Sequence, residues 1–378
     1  MESIKRVVVI GGGIGGLTLG LALRQKGLDV KVFEKYDHFQ HHLTGFLIWS
    51  YAIKVLQELD VAVDQVGTPL EVFEVHGRKG QPLTEMPIGS VSREMGADSY
   101  EINRRALIEL MAEMLGSDLV PGKNCVTVES LPDRAVAHFE DGSSADGDVV
   151  IGCDGAHSTV RNFIHENVEL TMLNAGGWIA VMNQHPASLK PNRHMDFWEP
   201  GIKAGVADIG NGQARWYVGM NGALPDEGRS VKEQILEAVP VLPTVLQECL
   251  DLTNEDEMVT VTGGDLLALQ PWFKGRVMIL GDAAHATSPY AGMGACAAIA
   301  DAGHFAHLMD ASSDIGCLFQ RFQEDRKPIT DGIIKESRAS LHMSAGRSRL
   351  QNWFRDLKLQ HIPDKEMHKI VADMVNGK

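Results

Sequence analysis

Residues 7–16 read VVVIGGGIGG, four β-forming residues followed by five glycines within six positions. Four consecutive β-formers are typical of a strand that is buried on both faces. The glycines at 11, 13 and 16 form the pattern G-x-G-x-x-G, and the apolar spacing of the next residues predicts a helix that ends at Gly27. A second strand, DVKVFEK, follows at 29–35. The segment therefore predicts a strand–turn–helix–strand unit of a parallel sheet.

The same turn predicts a dinucleotide site. Gly11 permits the tight turn, Gly13 lets a pyrophosphate approach the backbone, and Gly16 packs the helix against the strand. The helix N-terminus adds free N–H groups and a partial positive charge. Glu34 ends the second strand, where a carboxylate binds the hydroxyls of an adenosine ribose and repels a 2′-phosphate. The site therefore suits FAD or NAD rather than NADP, and a glycine-rich turn without a ligand is the alternative.

The composition limits the class of protein. With 378 residues, 44% of them hydrophobic and 22% charged, the chain is long enough for two domains with buried cores. Lys and Arg number 35 against 50 Asp and Glu, and the net charge of −15 argues against nucleic acid and anionic membranes as partners. Five scattered cysteines form no CxxC pair, and the N-terminus leads straight into a strand. We therefore expect reduced thiols and a cytoplasmic location.

Strands and helices alternate along the rest of the chain, and its character changes between about 170 and 270. Patterning predicts helices at 51–59, 106–115 and 230–239 and from 292 onward, and strands at 70–76, 81–89, 126–128, 135–139, 148–151, 178–183, 194–198, 203–209, 215–220 and 276–281. The expected fold class is α/β, with a Rossmann-type domain split in sequence, an inserted, mostly antiparallel β-sheet domain and C-terminal helices.

Two further motifs make a family resemblance specific. Residues 152–161 read GCDGAHSTVR, and residues 280–285 read LGDAAH, followed by TSPYAGMGACAAIADA. Together with the first motif they resemble the three fingerprints of the class A flavoprotein monooxygenases, the para-hydroxybenzoate hydroxylase-like family. The resemblance covers nearly the whole chain and is nearest to the short, single-component branch of urate hydroxylase-like enzymes. It implies that the dinucleotide is FAD and that NADH or NADPH is the reductant.

The resemblance also implies a set of cofactor-binding residues. It assigns Asp282 to the ribityl chain of FAD, Asp154 and Arg161 to the surroundings of the pyrophosphate, Arg104 to the flavin or its phosphates, and the helix that follows Gly292 to the flavin edge. The complete expected set is Gly11, Gly13, Gly15, Gly16, Glu34, Lys35, Gly45, Arg104, Asp154, Gly155, Arg161, Gly281, Asp282, Pro289, Gly292, Met293, Gly294 and Ala295.

Structural alternatives stay open for three of these residues. In these alternatives, Asp154 only caps the helix that carries Arg161 and pairs with that arginine, and Arg104 is only a solvated residue at a helix start. Asp282 is then only a turn or N-cap residue. Met293 departs from the glutamine that is usual in the family, which makes the flavin edge less polar.

The resemblance implies hydroxylation of a small aromatic or N-heteroaromatic substrate with O2, through a flavin C4a-hydroperoxide. The β-rich insertion should supply the substrate wall. The candidate catalytic residues are Tyr217, His194, Lys203 and Tyr290, with Tyr217 or His194 as a base and Lys203 for an acidic substrate group. Further candidates for the wall are aromatic: Trp49, Trp178, Phe197, Trp198 and Trp216.

Two positions bear on the substrate. Urate hydroxylase-like enzymes handle their substrate with an Arg and an Asp near the positions of Lys203 and Tyr290, so urate itself is doubtful. Asp208 stands where the family commonly has a proline, which also indicates altered substrate handling.

The expected domains follow the motifs. Residues 1–75, 101–170 and 273–340 form the FAD-binding domain, residues 76–100 and 171–272 the β-rich substrate domain, and residues 341–378 the C-terminal bridging helices. Residues 333–357 are predicted to form a helix packed across both domains, with a homodimer face as the alternative.

Other interpretations are weaker. His38, His41 and His42 suggest a metal, but no carboxylate or cysteine completes a site, so none is expected. A flavin halogenase should carry a WxWxIP motif, which the sequence lacks. A flavoprotein that binds FAD without hydroxylating, as a sensor or partner, remains the main alternative.

Overall fold

The computed structural model describes residues 4–38, 44–77, 80–166, 168–225, 228–239, 242–309 and 314–377. Within these residues the strands are β1 Arg6–Ile10, β2 Asp29–Phe33, β3 Gly45–Ile48, β4 Gly67–Pro69, β5 Val72–His76, β6 Pro82–Met86, β7 Tyr100–Asn103, β8 Leu119–Val120, β9 Cys125–Ser130, β10 Ala135–Phe139, β11 Ser144–Gly147, β12 Val149–Gly152, β13 Thr171–Met182, β14 Arg193–Glu199, β15 Ile202–Gly210, β16 Gln213–Asn221, β17 Val259–Asp265, β18 Phe273–Lys274 and β19 Val277–Ile279. The helices are α1 Ile14–Gln25, α2 Ser50–Glu58, α3 Ile88–Glu94, α4 Arg104–Leu115, α5 Thr159–Ile164, α6 Val231–Ala238, α7 Thr244–Leu252, α8 Asp282–His285, α9 Gly294–Leu308, α10 Ile315–Ser344, α11 Arg349–Leu359 and α12 Asp364–Val375.

A six-stranded sheet carries the three sequence motifs. Its order is β18-β19-β12-β1-β2-β8, and every pairing is parallel except that of β18 with β19. β1, β12 and β19 are buried along almost their whole length, as continuous runs of Val and Ile require in a sheet covered on both faces. α1 packs against α4 and α9. The predicted unit β1–α1–β2 is confirmed, and the glycine turns lie together at the carboxyl ends of the strands.

A seven-stranded sheet forms the second large layer. Its order is β17-β13-β16-β15-β14-β5-β6, antiparallel except for the parallel pair β14–β5. One face packs against α6 and α7 in a separate apolar core. The opposite face meets β7, which belongs to a small antiparallel sheet β3-β7-β4. The expected fold class, split α/β with a mostly antiparallel sheet and C-terminal helices, is confirmed.

Several predicted boundaries are wrong in detail. The strand predicted at 81–89 ends at Met86, because Pro87 precedes the first turn of α3. Two helices, not one, interrupt the β-rich region, since α7 begins directly after Pro243. β5 pairs with β14, so the division predicted at residues 75 and 76 cuts a strand of the seven-stranded sheet. The remaining domain division stays a prediction.

The C-terminal region consists of three helices. The single helix predicted for 333–357 is wrong, because α10 ends at Ser344 and α11 begins at Arg349, with Gly346 between them. α10 contacts α9 and the 3-10 turn Pro289–Ala291, and α12 packs against α3. None of the helices in the described ranges is both long and apolar enough to cross a membrane.

Candidate cofactor cleft and substrate face

The glycine-rich turn leaves room for a ligand at one position and none at two others. A Cβ atom on Gly16 would lie 1.9 Å from the carbonyl oxygen of Gly11, and one on Gly11 (φ +104°) would lie 2.4 Å from that of Cys153. A Cβ atom on Gly13 would meet no protein atom within 4 Å. Gly13 is the N-cap of α1 and offers no side-chain cap, so the first N–H groups of the helix face open space. The turn is therefore shaped for an anion beside Gly13.

Glu34 is fixed at the end of β2. The side chain is 7% exposed, and its oxygens accept hydrogen bonds from the backbone N–H of Gly12 (2.7 Å) and of Tyr36 (3.0 Å). A carboxylate keeps further lone pairs after two such bonds, so Glu34 can still accept from ribose hydroxyls. The next residue, Lys35, is exposed, and its ammonium lies 4.8 Å from the ring centre of Tyr36.

The second motif is built around a capped helix start. Asp154 accepts from the hydroxyl of Ser158 (2.5 Å) and the N–H of Val160 (3.1 Å). Burial raises the pKa of Asp154. Arg161 does not bond to Asp154; it donates to the carbonyls of Ala156 (2.7 Å) and Ala283 (3.1 Å). The capping alternative for Asp154 is therefore present in the structure, while Arg161 ties the second motif to the third. Gly155 (φ +79°) has no neighbour that a Cβ atom would meet.

A buried carboxylate that sequence reasoning did not single out organises the third motif. Asp301 in α9 is fully buried and accepts from the N–H of Gly281 (3.1 Å), Nε2 of His285 (2.5 Å) and Nε of Arg326 (2.7 Å). Burial opposes its ionisation, but His285 and Arg326 hold the pKa of Asp301 well below its usual range. Asp301 thus fixes the backbone turn at Gly281. The sequence offered one signal for this role: Asp301 is a lone carboxylate in an alanine-rich helix, which is expected to be buried.

Asp282 lies on the wall of an internal cleft. The residue is accessible to solvent, yet burial among the surrounding protein atoms raises its pKa. A Cβ atom on Gly294, at the start of α9, would lie 3.9 Å from its Oδ1. Arg104 exerts a charge effect on Asp282, and its own Nε is buried with no hydrogen-bond partner among the described residues. A solvated helix-start role for Arg104 is therefore wrong, because its guanidinium is largely enclosed and burial lowers its pKa.

The other predicted cofactor residues differ in their exposure and in their neighbours. Pro289 and Gly292 are exposed, Met293 is buried as the N-cap of α9, and Ala295 lies in the first turn of that helix. Gly15 packs against Ala298, as does Gly281. Gly45 is buried, and its close neighbour is Arg215: a Cβ atom there would lie 2.7 Å from Cδ. Four features fit a dinucleotide: the uncapped start of α1, the free space at Gly13, the carboxylates of Glu34 and Asp282, and Nε of Arg104 without a partner among the described residues.

A buried network of charges covers the face of the seven-stranded sheet that meets β7. Glu101 is fully buried and accepts from Nε (2.7 Å) and Nη2 (3.0 Å) of Arg215 and bonds Nδ1 of His194 (2.6 Å). The other ring nitrogen of His194 lies 2.9 Å from Asp196 Oδ1. Burial alone would raise the pKa of Glu101, but Arg215 and His194 lower it to about 2. Burial likewise opposes the ionisation of Asp196, but Lys203 and His194 hold its pKa well below the usual range, so both carboxylates are ionised at neutral pH.

Asp196 binds the other side chains of the charged network. It accepts from the hydroxyl of Tyr217, from Nε1 of Trp198 (3.0 Å) and from the ammonium of Lys203 (3.3 Å). Burial and the charge of Asp196 raise the pKa of Tyr217 well above its usual value. Tyr217 and His194 therefore have their polar atoms engaged, which makes either one a poor direct base.

Lys203 and Tyr290 join this face to the cofactor side. The ammonium of Lys203 lies 3.4 Å from the backbone carbonyl oxygen of Tyr290, and the hydroxyl of Tyr290 donates to the carbonyl of Met220 (2.9 Å). Burial raises the pKa of Tyr290 to about 12, so it stays a neutral donor. All four predicted catalytic residues thus lie on one side of the sheet, beside the turn that precedes α9.

Strand alternation corrects part of the predicted aromatic wall. Trp178, Phe197 and Trp216 lie in the core with α6 and α7, on the opposite face of the sheet. Trp49 is buried at the start of α2, and only Trp198 belongs to the charged face. Asp208 accepts from the N–H groups of Asn192 (2.7 Å) and Gly210 (2.9 Å), so it fastens the end of β15 and does not touch the charged face.

Sequence reasoning missed Glu101, Asp196 and Arg215. Period-two alternation from His194 and Tyr217 would have placed Asp196 and Arg215 on the same face. Glu101 has no such candidate residue two positions away in its strand. His41 and His42 lie outside the described residues. Within the described ranges there is no group of three His, Cys, Asp or Glu that could hold a metal ion.

Comparison with known proteins gives consistent matches. Residues 5–335 match a family model described as FAD binding domain. The chain is 28% identical over 343 residues to aurachin C monooxygenase/isomerase of Stigmatella aurantiaca, covering 89% of each chain. It is 30% identical over 327 residues to 3-amino-4-hydroxybenzoate 2-monooxygenase of Streptomyces cremeus, covering 84% of this chain and 79% of the relative. The crystal structure of Klebsiella pneumoniae HpxO complexed with FAD and uric acid superposes with a TM-score of 0.91 at 21% identity, covering 99% of this chain and 97% of that one.

Proposed function

We propose that this chain, a member of the FAD binding domain family, is an FAD-dependent monooxygenase that hydroxylates a small aromatic or heteroaromatic substrate. The family resemblance read from three sequence motifs is confirmed by the match to residues 5–335. One observation carries the proposal: a dinucleotide cleft and a charged substrate face meet at Lys203 and Tyr290. Two relatives named as monooxygenases, one of them a 3-amino-4-hydroxybenzoate 2-monooxygenase, support the same reaction class.

Residues of the six-stranded sheet are assigned to FAD. The uncapped N-terminus of α1 receives the pyrophosphate beside Gly13, Glu34 accepts from the adenosine ribose, and Asp282 and Arg104 hold the flavin side. Bound FAD would supply the redox chemistry: a hydride from NADH or NADPH and one proton reduce O2, of which one oxygen atom enters a C–H bond of the ring to give a hydroxyl group and the other leaves as water. The start of α9 lies beside Asp282, where its N–H groups favour negative charge on the flavin edge.

The seven-stranded sheet is assigned to the substrate. Asp196 holds the ammonium of Lys203, and Lys203 in turn reaches the carbonyl of Tyr290 at the junction with the cofactor side. An ammonium fixed in a partly buried site favours a substrate that carries a carboxylate, a phenolate or another anionic oxygen. His194 and Tyr217 act through Asp196: their bonds keep it ionised and oriented, so they position Lys203.

The substrate proposed is therefore an anionic (hetero)aromatic compound other than urate. The family resemblance implies that Tyr290 replaces an Asp of urate hydroxylase-like enzymes, and a neutral phenol cannot accept from a urate N–H in the way that a carboxylate does. The phenol hydroxyl is already donated to Met220. Tyr290 therefore presents an apolar ring to the substrate site, because its hydroxyl is already bonded to Met220.

Oxygen labelling tests the function. The purified protein, loaded with FAD, is incubated with NADH or NADPH, with 18O2, and with a panel of aromatic carboxylates and N-heterocycles. A monooxygenase gives a product that carries one 18O atom, together with substrate-stimulated oxidation of the nicotinamide. Nicotinamide oxidation that yields only hydrogen peroxide with every compound, or a product whose new oxygen comes from water, would contradict the proposal.

A further inference from the structure

An apolar stripe lies exposed on α11. Leu350, Trp353, Phe354 and Leu357 are 66%, 58%, 58% and 43% exposed, and their spacing places them on one side of the helix. Such side chains are normally buried, and four of them in contiguous positions form a patch rather than scattered surface residues. A shallow open groove lined by Phe354, Leu357, Lys358 and His361 runs along the same side.

The other side of α11 fixes the helix to the protein. Asn352 is buried and donates to the carbonyl of Gly346 (2.7 Å). Arg355 bonds Asp356 (2.6 and 2.8 Å) and the carbonyl of Met343 (2.8 Å), and its guanidinium lies 5.3 Å from the ring centre of Trp198. The stripe therefore points outward because the opposite side is held, not because the helix is detached.

Unpaired cations border the stripe. Arg349 and Lys358 flank it on either side of the helix and are exposed, and neither side chain bonds to a described residue. The nearby carboxylate of Asp356 is occupied by Arg355. The net charge of −15 belongs to the whole chain, but at physiological salt a charge is screened beyond about 8 Å. A partner surface in contact with the stripe therefore lies next to the positive charges of Arg349 and Lys358.

We propose that the stripe of α11 docks the protein on an anionic lipid surface. Trp, Phe and Leu between flanking Arg and Lys are the side chains of an interfacial helix, with rings and Leu side chains in the headgroup–acyl boundary and cations on anionic headgroups. This docking is peripheral and requires no spanning helix. It replaces the expectation from net charge that anionic membranes are excluded.

A second copy of the chain fits the stripe less well. With aromatic side chains of roughly 150–250 Å2, the exposed parts of the four residues amount to on the order of 400 Å2, about half of the ~800 Å2 that each partner buries in a standard interface. A two-fold contact would also bring Arg349 and Lys358 of both copies together. The same cations favour an anionic bilayer.

Tryptophan fluorescence provides a site-specific probe. Of the six tryptophans, five are buried, and Trp353 alone is exposed. The FAD-loaded protein is mixed with vesicles of phosphatidylcholine, alone or with phosphatidylglycerol, and binding is followed by flotation and by emission. We expect flotation only with phosphatidylglycerol, a shift of emission to shorter wavelength, and loss of both at high salt. Trp353→Phe should keep flotation and lose the emission shift.

Two sets of variants make the test specific. We expect each of two double variants to lower vesicle affinity at least tenfold. One combines Trp353→Ala with Phe354→Ala, and the other combines Arg349→Glu with Lys358→Glu. Vesicle affinity should stay unchanged in matched controls at other exposed sites. These are the double variant Met172→Ala with Leu236→Ala, and the single variant Lys190→Glu. Three results would overturn the proposal: no binding to phosphatidylglycerol vesicles, binding that the control variants weaken as much as the two test pairs do, or self-association without lipid that Trp353→Ala abolishes.

Discussion

The cofactor cleft and the substrate face are built in opposite ways. The cleft depends on backbone: glycine turns at the ends of β1, β12 and β19 come together because parallel strands end at one edge of the sheet. The substrate face is formed by side chains from β7, β14, β15 and β16, held by ion pairs across strands. The cofactor cleft requires glycines, which have no Cβ atom, whereas the substrate face requires paired charged side chains. The two should therefore fail differently when mutated.

Glycine substitutions should break the cofactor side most severely. Gly16→Ala places a Cβ atom 1.9 Å from a backbone oxygen, so the turn must move, and we expect a loss of at least about 3 kcal/mol of unfolding free energy together with the flavin. Gly13→Ala meets no protein atom and should leave stability within about 0.5 kcal/mol while lowering FAD affinity.

Denaturant unfolding and flavin absorbance measure these two effects. Gly332→Ala in α10, with open space around the new methyl group, serves as the control and should stabilise by about 0.5–1 kcal/mol. Normal FAD retention by Gly13→Ala would show that no cofactor group approaches that position.

Glu101→Gln should break the substrate face without removing the flavin. It leaves the buried charge of Arg215 without a carboxylate, which costs about 3–5 kcal/mol. Glu109→Gln removes an exposed pair with Arg105 and should cost at most about 0.5 kcal/mol. Unfolding by denaturant compares the two variants, and equal losses would show that the network does not hold the sheet to β7.

The pH dependence of stability sharpens the same point. The pKa of Glu101 falls from 4.5 in the unfolded chain to about 2 in the folded protein. Ionised Glu101 therefore stabilises the folded state above pH 4.5, and this contribution disappears as the pH falls from 4.5 towards 2. The slope of unfolding free energy against pH in that range should be smaller in Glu101→Gln than in the wild type, and identical slopes would contradict the ion network.

The two regions also differ in how far the sequence predicts them. The motifs at 7–16, 152–161 and 280–285 locate the cleft, because each is local and needs particular residues at particular spacings. Period-two alternation puts Asp196 and Arg215 on the same face as His194 and Tyr217, but their contacts with one another depend on strand register, and Glu101 joins them only through the approach of β7 to β15. Trp178 and Trp216 were misassigned for the same reason: aromatic character does not tell which face of a strand points to the site.

Asp282→Asn should lower cofactor affinity while keeping the fold. Its side chain is accessible to solvent beside the start of α9, so replacing the carboxylate removes a proposed FAD ligand and leaves the packing of the protein intact. We expect FAD affinity to fall roughly 10- to 100-fold, about 1.4–2.8 kcal/mol, with an unchanged denaturation midpoint of the apoprotein. Asp301→Asn is the contrast, because Asp301 bonds Gly281, His285 and Arg326 inside the protein. Asp301→Asn should lower the free energy of unfolding as well as FAD affinity. Full flavin retention by Asp282→Asn would show that Asp282 does not bind the cofactor.

Lys203→Met tests the substrate side with the smallest expected effect. Loss of the ammonium should raise KM for an anionic substrate about tenfold, or about 1.4 kcal/mol, with FAD content unchanged. Lys203→Arg should retain most of the affinity because it keeps the charge, and Lys190→Met on the surface should change nothing. An unchanged KM in Lys203→Met, measured by steady-state kinetics, would place substrate recognition elsewhere.

The most direct test of the central claim is an anaerobic reduction of the bound flavin. The visible spectrum of the FAD-loaded protein is recorded after NADH or NADPH is added, with and without each compound of an aromatic and heteroaromatic panel. Cooperation between the cleft and the substrate face predicts that the flavin bleaches faster with at least one anionic aromatic compound, and that Lys203→Met removes this acceleration. A bound flavin that no combination bleaches, or a protein that binds no flavin, would contradict it.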